Sequence, residues 1–235
     1  MSLIIGIDEA GRGALAGPVV AAAVKSDDIQ GSIINIQVQD SKQLTSTQRE
    51  VLAEVIKKSC MWGIGVIDAE IIDAIGIKKA TNRAMRMAVE DLKLKLPRAP
   101  SFEERGGSLD LSRDGGEFEL WIDGNDRFTF SYPSKDFIKG DEIHPVISAA
   151  SILAKVHRDH LMAEYAKTYP KFGFETHKGY GAKAHLGLLD REIYCEIHRK
   201  TYDPLRTILT QMRLEIGNIH EVLQCENGCI YEIFP

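Results

Sequence analysis

The sequence is poor in cysteine, in long apolar runs and in excess charge of either sign. Its four cysteines are scattered through 235 residues, which excludes a disulfide-stapled scaffold and favours a reducing compartment. No apolar run approaches the roughly 18 residues of a membrane span, and no basic region precedes an apolar stretch at the N-terminus. We therefore expect neither a membrane segment nor a signal peptide, and we expect a cytoplasmic protein. The net charge of −5 means that nucleic-acid binding would need a local basic face.

Several common catalytic signatures are also missing. The chain has no phosphate-binding Walker loop, no dinucleotide fingerprint and no Ser-His-Asp elbow. His157 and His160 have helical spacing but no third ligand nearby, so we interpret them as surface residues. Cys225 and Cys229 could hold a metal together with His220, although tail cysteines of this kind are more often incidental.

The pattern of apolar residues predicts an α/β domain with a mixed sheet. Strands are expected at Leu3–Ile7, Pro18–Val24, Ile33–Val38, Met61–Ile67 and Leu120–Ile122, and helices after Thr45 and at Ala69–Ile75, Thr81–Leu96, Val146–Tyr165 and Leu205–Ile216. We expect the charged end of the fourth of these helices, which includes Arg158, to face solvent or a partner. Arg98–Gly116 reads as a polar surface loop, and the tail after Ile216 is expected to be irregular.

Four acidic residues lie in contexts typical of metal ligands. Asp8 and Glu9 follow an apolar run, Asp123 ends the run in WIDGN, and Asp141 lies in KGDEIHP. Strands of one sheet can end at a common edge, and oxygen-rich sites favour Mg²⁺ or Mn²⁺. Adjacent strand residues point to opposite faces, so Asp8 and Glu9 converge only if the strand ends there. The alternative is an Asp-Glu pair that opens a surface loop.

Glycine-framed cations suggest contacts with an anion. In Gly11-Arg12-Gly13, glycines allow close backbone approach and turn amides can bind a phosphate, although a plain turn with a solvated arginine is the alternative. Lys42 is similarly either a phosphate contact or a turn residue. Tyr180, between two glycines, could stack on a sugar or base, or it could close an edge of the core.

Together these segments resemble the type 2 ribonucleases H, the ribonuclease HII family. The opening IIGIDEAGRGALAGPVVAAAV looks like the signature of that family. Further matches follow in family order: QDSKQLT, KKATNRAM, WIDGN, IKGDEIHPVISAASILAKVHRD, HKGYGAKAHL and IHRKTYDPLR. They extend from about Leu3 to Arg206.

The resemblance implies a ribonuclease H-like fold, in which helices flank a mixed five-stranded sheet. We expect residues 1–204 to form the catalytic domain and residues 205–235 to form a small helical C-terminal part and tail. It implies hydrolysis of the RNA strand of RNA–DNA hybrids and cleavage 5′ of single ribonucleotides in duplex DNA, leaving 3′-hydroxyl and 5′-phosphate ends. Two divalent ions, Mg²⁺ or Mn²⁺, are implied. A monomer is expected. A sliding-clamp partner is conceivable, but the ending ENGCIYEIFP does not clearly supply a docking peptide.

By motif match, the resemblance makes Asp8, Glu9, Asp123 and Asp141 the catalytic and metal-binding carboxylates. Asp159 is also on a motif, but the family's fourth acid follows a lysine-glycine pair, as Asp141 does. The substrate contacts implied are the loop of Gly11, Arg12 and Gly13, which senses the ribonucleotide 2′-hydroxyl and nearby phosphates, Lys42 on a phosphate, and Tyr180 at the RNA–DNA junction.

The chain departs from the family pattern at three places. Lys78 stands where relatives often have Asn, Ala182 replaces a frequent Thr, and the 98–116 segment is longer than usual. Two other functions stay open: a catalytically silent module that binds hybrids, and a nuclease of the same fold that cuts DNA structures generally.

Overall fold

A computed structural model describes residues 3–25, 44–95, 118–216, 222–224 and 230–232. The strands are β1 (Leu3–Ala10), β2 (Val19–Lys25), β3 (Met61–Ile67), β4 (Phe118–Asp123), β5 (Ser134–Phe137), β6 (Val222–Gln224) and β7 (Ile230–Glu232). The α-helices are α1 (Ser46–Ser59), α2 (Ala69–Ile75), α3 (Ile77–Lys95), α4 (Gly140–Ile143), α5 (Pro145–Thr168), α6 (Phe174–His177), α7 (Lys183–Leu189) and α8 (Leu205–Ile216), and a 3₁₀ turn covers Pro170–Phe172. Within these ranges, no helix is both long enough and apolar enough to cross a bilayer.

The first five strands form one mixed sheet in the order β3-β2-β1-β4-β5. Strand β1 is antiparallel to β2 and parallel to β4, and β4 is parallel to β5. The carboxyl ends of β1, β4 and β5 therefore lie at one edge of the sheet. The predicted five-stranded mixed sheet is confirmed.

The chain divides into two compact units. The first contains residues 1–10, 20–66 and 82–156, and the second contains residues 11–19, 67–81 and 157–235. The predicted division into a catalytic domain at 1–204 and a C-terminal part at 205–235 stays a prediction.

In the first unit, helices pack closely on the sheet. Apolar residues of α1 and of the first half of α5 join Ala22 and Val24 in one core cluster. A Cβ on Gly65 of β3 would lie 2.0 Å from the carbonyl oxygen of Ala84, and one on Gly6 would lie 2.4 Å from the backbone of Val146. Glycine at these positions lets helix backbone rest directly on the strands, which brings α5 close to the end of β1.

In the second unit, the core surrounds the second half of α5. Met162, Phe172 and Phe174 are buried there with Ala16 and Cys195. The charged end of α5 was predicted to face solvent or a partner, but one of its residues, Arg158, is fully buried. Helical periodicity alone could not show this, since its guanidinium is satisfied by carbonyl oxygens that lie far away in sequence.

Most predicted elements are present with shifted ends. The capping box of Thr45 and Gln48, strand Met61–Ile67 and helices Ala69–Ile75 and Leu205–Ile216 are confirmed. Strand β5 was not predicted because its sequence SKDF is polar and mostly exposed. The tail was expected to be irregular, but β6 and β7 pair there as a two-stranded antiparallel sheet. The predicted strand Ile33–Val38 and the 98–116 loop lie outside the described residues.

Candidate active site

Strand register places Asp8 and Asp123 side by side. The parallel pairing of β1 with β4 ends at Ile7 opposite Ile122, so the next residue of each strand is an aspartate. Cross-strand neighbours share a face of the sheet. Both aspartates therefore lie on the face that carries Gly6, which is the face covered by α5.

The short helix α4 brings Asp141 to the same edge. Phe137 at the end of β5 pairs with Asp123, and after it the chain turns through Lys139, whose φ of 56° is left-handed. The Gly140 amide then donates a hydrogen bond to Oδ1 of Asp123 at 2.7 Å. Asp141, the next residue, is only 6% exposed.

Aromatic rings support this turn from one side. The ring of His144, which caps the end of α4, lies 4.3 Å from that of Phe137 and 4.6 Å from that of Trp121, both in edge-on geometry. The segment that carries Asp141 is thereby anchored to β4 and β5 by ring packing as well as by hydrogen bonding.

Asp8 lies in an environment that opposes its negative charge. Its side chain is 6% exposed, and burial, followed by the charge of Glu9 and then that of Asp123, raises its pKa well above the usual value. Hydrogen bonds from Ser151 and from the Glu9 amide, 2.7 Å from Asp8 Oδ1, only partly offset this. Carboxylates that repel one another in a buried place are the kind of group that a cation stabilises.

The position of Glu9 differs from the prediction, in which the first strand ends at Ile7. Strand β1 continues to Ala10, so Asp8 and Glu9 are both within the strand and alternation directs them to opposite faces. Among the described residues, no group of three or more His, Cys, Asp or Glu side chains is arranged to hold a metal ion. The structure thus gathers Asp8, Asp123 and Asp141 at one edge, with Glu9 close enough to perturb Asp8, without forming a closed ligand shell.

The turn of Gly11, Arg12 and Gly13 follows β1 directly, and its carbonyl oxygens are held from within the protein. Buried Arg199 donates hydrogen bonds to Gly11 O at 2.7 Å, Arg12 O at 2.8 Å and Gly17 O at 2.9 Å. Gly11 has φ 95°, and its neighbourhood leaves no room for a side chain. The turn is therefore fixed from one side, while Gly13 is exposed.

Arg199 retains its charge at this position. Burial lowers its pKa to about 10, which leaves the guanidinium protonated at neutral pH. The hydroxyl of Tyr202 also donates to Arg12 O, at 2.8 Å. The glycine turn therefore lies against a buried positive charge.

Tyr180 is exposed and its backbone is held tightly. Tyr180 is 36% exposed, so part of its ring is open to solvent while the rest is covered. The Tyr180 carbonyl oxygen lies 2.9 Å from Nδ1 of His185, whose Nε2 lies 2.9 Å from Nε2 of His198. The Cys195 amide donates to Nδ1 of His198, so neutral His198 carries its proton on Nε2 and donates it to Nε2 of His185. Neutral His185 then carries its proton on Nδ1 and donates it to the Tyr180 carbonyl oxygen.

Residue-by-residue reasoning missed Arg158, Arg199, His185 and His198. All four are buried. All four also lie inside the motif segments, and this position was the signal in the sequence that could have identified them. Lys42 lies outside the described residues. Lys78 is exposed, and Ala182 is the N-cap residue of α7, where it makes no side-chain capping bond.

Comparison with known proteins gives one consistent result. The family model described as Ribonuclease HII matches residues 5–101 and 121–204. Ribonuclease HII of Erythrobacter litoralis is 43% identical over 202 residues, 86% of this chain and 88% of that protein. Ribonuclease HII of Endomicrobium trichonymphae is 42% identical over 218 residues, 91% of each chain.

Solved structures share the fold. The ribonuclease H2 of Pyrococcus horikoshii has a TM-score of 0.64 and 23% identity over 89% of this chain and 98% of that one. The ribonuclease HII in a complex with PCNA from Archaeoglobus fulgidus has a TM-score of 0.56 and 26% identity, covering 81% and 87%. The Bst ribonuclease HIII in complex with Mn²⁺ has a TM-score of 0.58 and 18% identity, covering 89% and 70%. The expected ribonuclease H-like fold is confirmed.

Proposed function

The chain belongs to the ribonuclease HII family, nucleases that cleave the RNA of RNA–DNA hybrids, and from that premise we propose that it also cuts 5′ of a single ribonucleotide embedded in duplex DNA. The products would carry a 3′-hydroxyl and a 5′-phosphate. The observation that carries the proposal is the convergence of Asp8, Asp123 and Asp141 at the edge of the sheet where β1, β4 and β5 end. In sequence, Asp8 is followed closely by the glycine turn, in which Gly13 is exposed to solvent.

We propose that Asp8, Glu9, Asp123 and Asp141 hold two divalent ions, Mg²⁺ or Mn²⁺. The donor set fits, because all four residues offer carboxylate oxygens, the ligands that these ions prefer, and because the raised pKa of Asp8 reflects charge repulsion that a cation would relieve. Since the described carboxylates do not yet form a closed shell, their side chains have to reorient on binding. When bound, the ions supply positive charge at the scissile phosphate and an acidified water.

The chain's own residues orient these groups. Asp123 accepts a hydrogen bond from the Gly140 amide, and Asp8 accepts hydrogen bonds from Ser151 and the Glu9 amide, so any reorientation of these carboxylates starts from a defined position. The covering helix α5 keeps water away from one side of Asp8, which strengthens the electrostatic interactions there.

Selectivity for the ribonucleotide is assigned to the turn of Gly11, Arg12 and Gly13. The 2′-hydroxyl is the group that distinguishes RNA from DNA. A Cβ on Gly13 would meet no other described residue within 4 Å, so this space is available to a sugar. We propose that backbone groups of the turn bind the hydroxyl, that Arg12 and Lys42 contact phosphates, and that exposed Tyr180 packs at the RNA–DNA junction.

Partners beyond the nucleic acid stay predictions. We expect a monomer. The Archaeoglobus fulgidus relative was solved with PCNA, and a sliding clamp is a reasonable class of partner to test here. The C-terminal residues 233–235, where a docking peptide would lie, are outside the described residues.

The first test is cleavage of a DNA duplex that carries one ribonucleotide. The protein is incubated with Mg²⁺, with Mn²⁺ or with EDTA, beside an all-DNA duplex of the same sequence. We expect metal-dependent cutting only 5′ of the ribonucleotide. Cutting of the all-DNA duplex would favour a general structure-selective nuclease, and no cutting by folded protein would favour a module that only binds hybrids.

A pair of variants tests the assignment of the acids. Asp8→Asn keeps the shape of the side chain but removes its charge, so cleavage should fall to near the detection limit while the far-UV spectrum is retained. Asp159→Asn is the matched control, because Asp159 lies on the same motif as Asp141 and was the alternative choice for the fourth acid. Full activity in Asp8→Asn would reject Asp8 as a metal-binding acid, and loss of activity in Asp159→Asn would reopen the choice of Asp141 over Asp159.

A further inference from the structure

Arg158 occupies a place that the proposed function leaves unexplained. It is fully buried near the middle of α5, and its guanidinium donates hydrogen bonds to the carbonyl oxygens of Pro18 at 2.9 Å, Ala16 at 3.0 Å and Lys178 at 2.9 Å. Residues 16 and 18 follow the glycine turn, whereas residue 178 belongs to the segment that ends at Tyr180. One side chain therefore joins two segments that are 160 residues apart in sequence.

The glycine turn is also shaped around this side chain. A Cβ on Gly11 would lie 2.1 Å from Nε and 2.5 Å from Cδ of Arg158, and one on Gly17 would lie 3.5 Å from its Nη2. Both glycines have left-handed φ values, 95° and 83°. The turn can pass this close only because it carries no side chains where Arg158 lies.

The tyrosine segment contacts the same guanidinium. The centre of the Arg158 guanidinium lies 5.1 Å from the centroid of the Tyr180 ring, within the range of a cation–π contact. Lys178 has a strained left-handed φ of 53°, and its carbonyl oxygen accepts one of the three hydrogen bonds. The Leu15 and Ala16 amides also donate hydrogen bonds to the Gly179 carbonyl oxygen, at 2.8 and 3.2 Å, so backbone hydrogen bonds join the same two segments.

We propose that Arg158 is a positioning residue that sets the distance between the 2′-hydroxyl-sensing turn and Tyr180, and so determines preference for a single ribonucleotide flanked by DNA. The inference rests on the proposed function. A single ribonucleotide must satisfy the turn and the junction-packing tyrosine together. A long hybrid offers a 2′-hydroxyl at every step and has no junction at the cut, so it depends less on this spacing.

The test compares rates on two substrates, one duplex with a single ribonucleotide and one long RNA–DNA hybrid. Arg158→Met removes all three hydrogen bonds, and we expect its rate on the single ribonucleotide to fall roughly ten- to a hundredfold more than its rate on the hybrid, as for a displacement of about 1 Å. Arg158→Lys keeps the charge but cannot span three carbonyl oxygens, so the same loss of preference is expected. Lys167→Met, on an exposed residue of the same helix, is the control and should retain the wild-type ratio.

Each outcome either supports the positioning role of Arg158 or overturns it. An unchanged ratio in either Arg158 variant, with both rates reduced alike, would show a purely structural role and overturn the inference. A wild-type ratio in Arg158→Lys would show that charge rather than spacing matters, and would also overturn it. If Arg158→Met does not stay folded, Arg158→Lys assayed at reduced temperature decides the question. Wild-type protein that cuts neither duplex would overturn the proposed function, and the inference with it.

Discussion

Replacing Arg199 by Met should destabilise the protein by an amount that the hydrogen bonds of the glycine turn allow us to estimate. After the change, Gly17 O loses both bonds from the guanidinium, and Gly11 O keeps only a 3.3 Å bond from the Ala14 amide. Arg12 O keeps its bond from Tyr202. Gly17 O is left unsatisfied, which destabilises by about 1–3 kcal/mol, and the bond that Gly11 O loses adds about 1 kcal/mol. The loss is therefore about 2–4 kcal/mol before any relief from removing a buried charge.

A change of this size is measurable and separable from a general surface effect. For a chain of this length, each kcal/mol lowers Tm by about 2–4 °C, so we expect Arg199→Met to melt about 4–16 °C below wild type, with a matching fall in urea midpoint. Arg191→Met is the control, since Arg191 is exposed and surface changes are usually within about 0.5 kcal/mol. Cleavage should also weaken, because the turn loses its support. Equal stability and equal cleavage in Arg199→Met and wild type would refute the view that this arginine holds the turn.

Three further predictions concern acid stability, a helix cap and the sugar-sensing turn. Burial, then the charge of His185, lowers the pKa of His198 to about 3. Below about pH 6.5 the unfolded chain binds a proton at this histidine and the folded chain does not, so going from pH 7 to pH 5 should reduce the free energy of unfolding by about 2 kcal/mol. Urea titrations of wild type and His198→Gln measure this, and the same reduction in the variant would contradict it. Ala182→Thr restores a capping hydroxyl at the start of α7 and should raise stability by about 0.5–2 kcal/mol, measured as a higher Tm; no rise would argue against the cap. Gly13→Val has room in the protein, so it should retain Tm but lose cleavage at a single ribonucleotide, and wild-type cleavage would reject the role of the turn.

The sequence predicted the sheet edge better than the interior that supports it. Asp8 and Asp123 follow apolar strands, and their proximity needed only the rule that parallel strands end at a common edge. The extent of β1 past Glu9 could not be predicted, because the pairing of Ala10 with Val20 is a tertiary contact that propensity does not encode. Arg158 and His198 were missed for the same reason: a polar side chain on a helix or loop looks solvated until distant partners are known. Strand β5 escaped because an exposed edge strand has no apolar alternation.

The direction of β4 has a consequence for changes in chain length. Strand β4 begins at Phe118, and Asp123 stands at its other end, about 17 Å away at about 3.3 Å per residue. Pairing with β1 and β5 on both sides holds the strand in register between these points. Residues added or removed ahead of Phe118 are thus insulated from the acidic edge, which makes that position suitable for inserting a fluorescent reporter or an affinity peptide without moving a carboxylate.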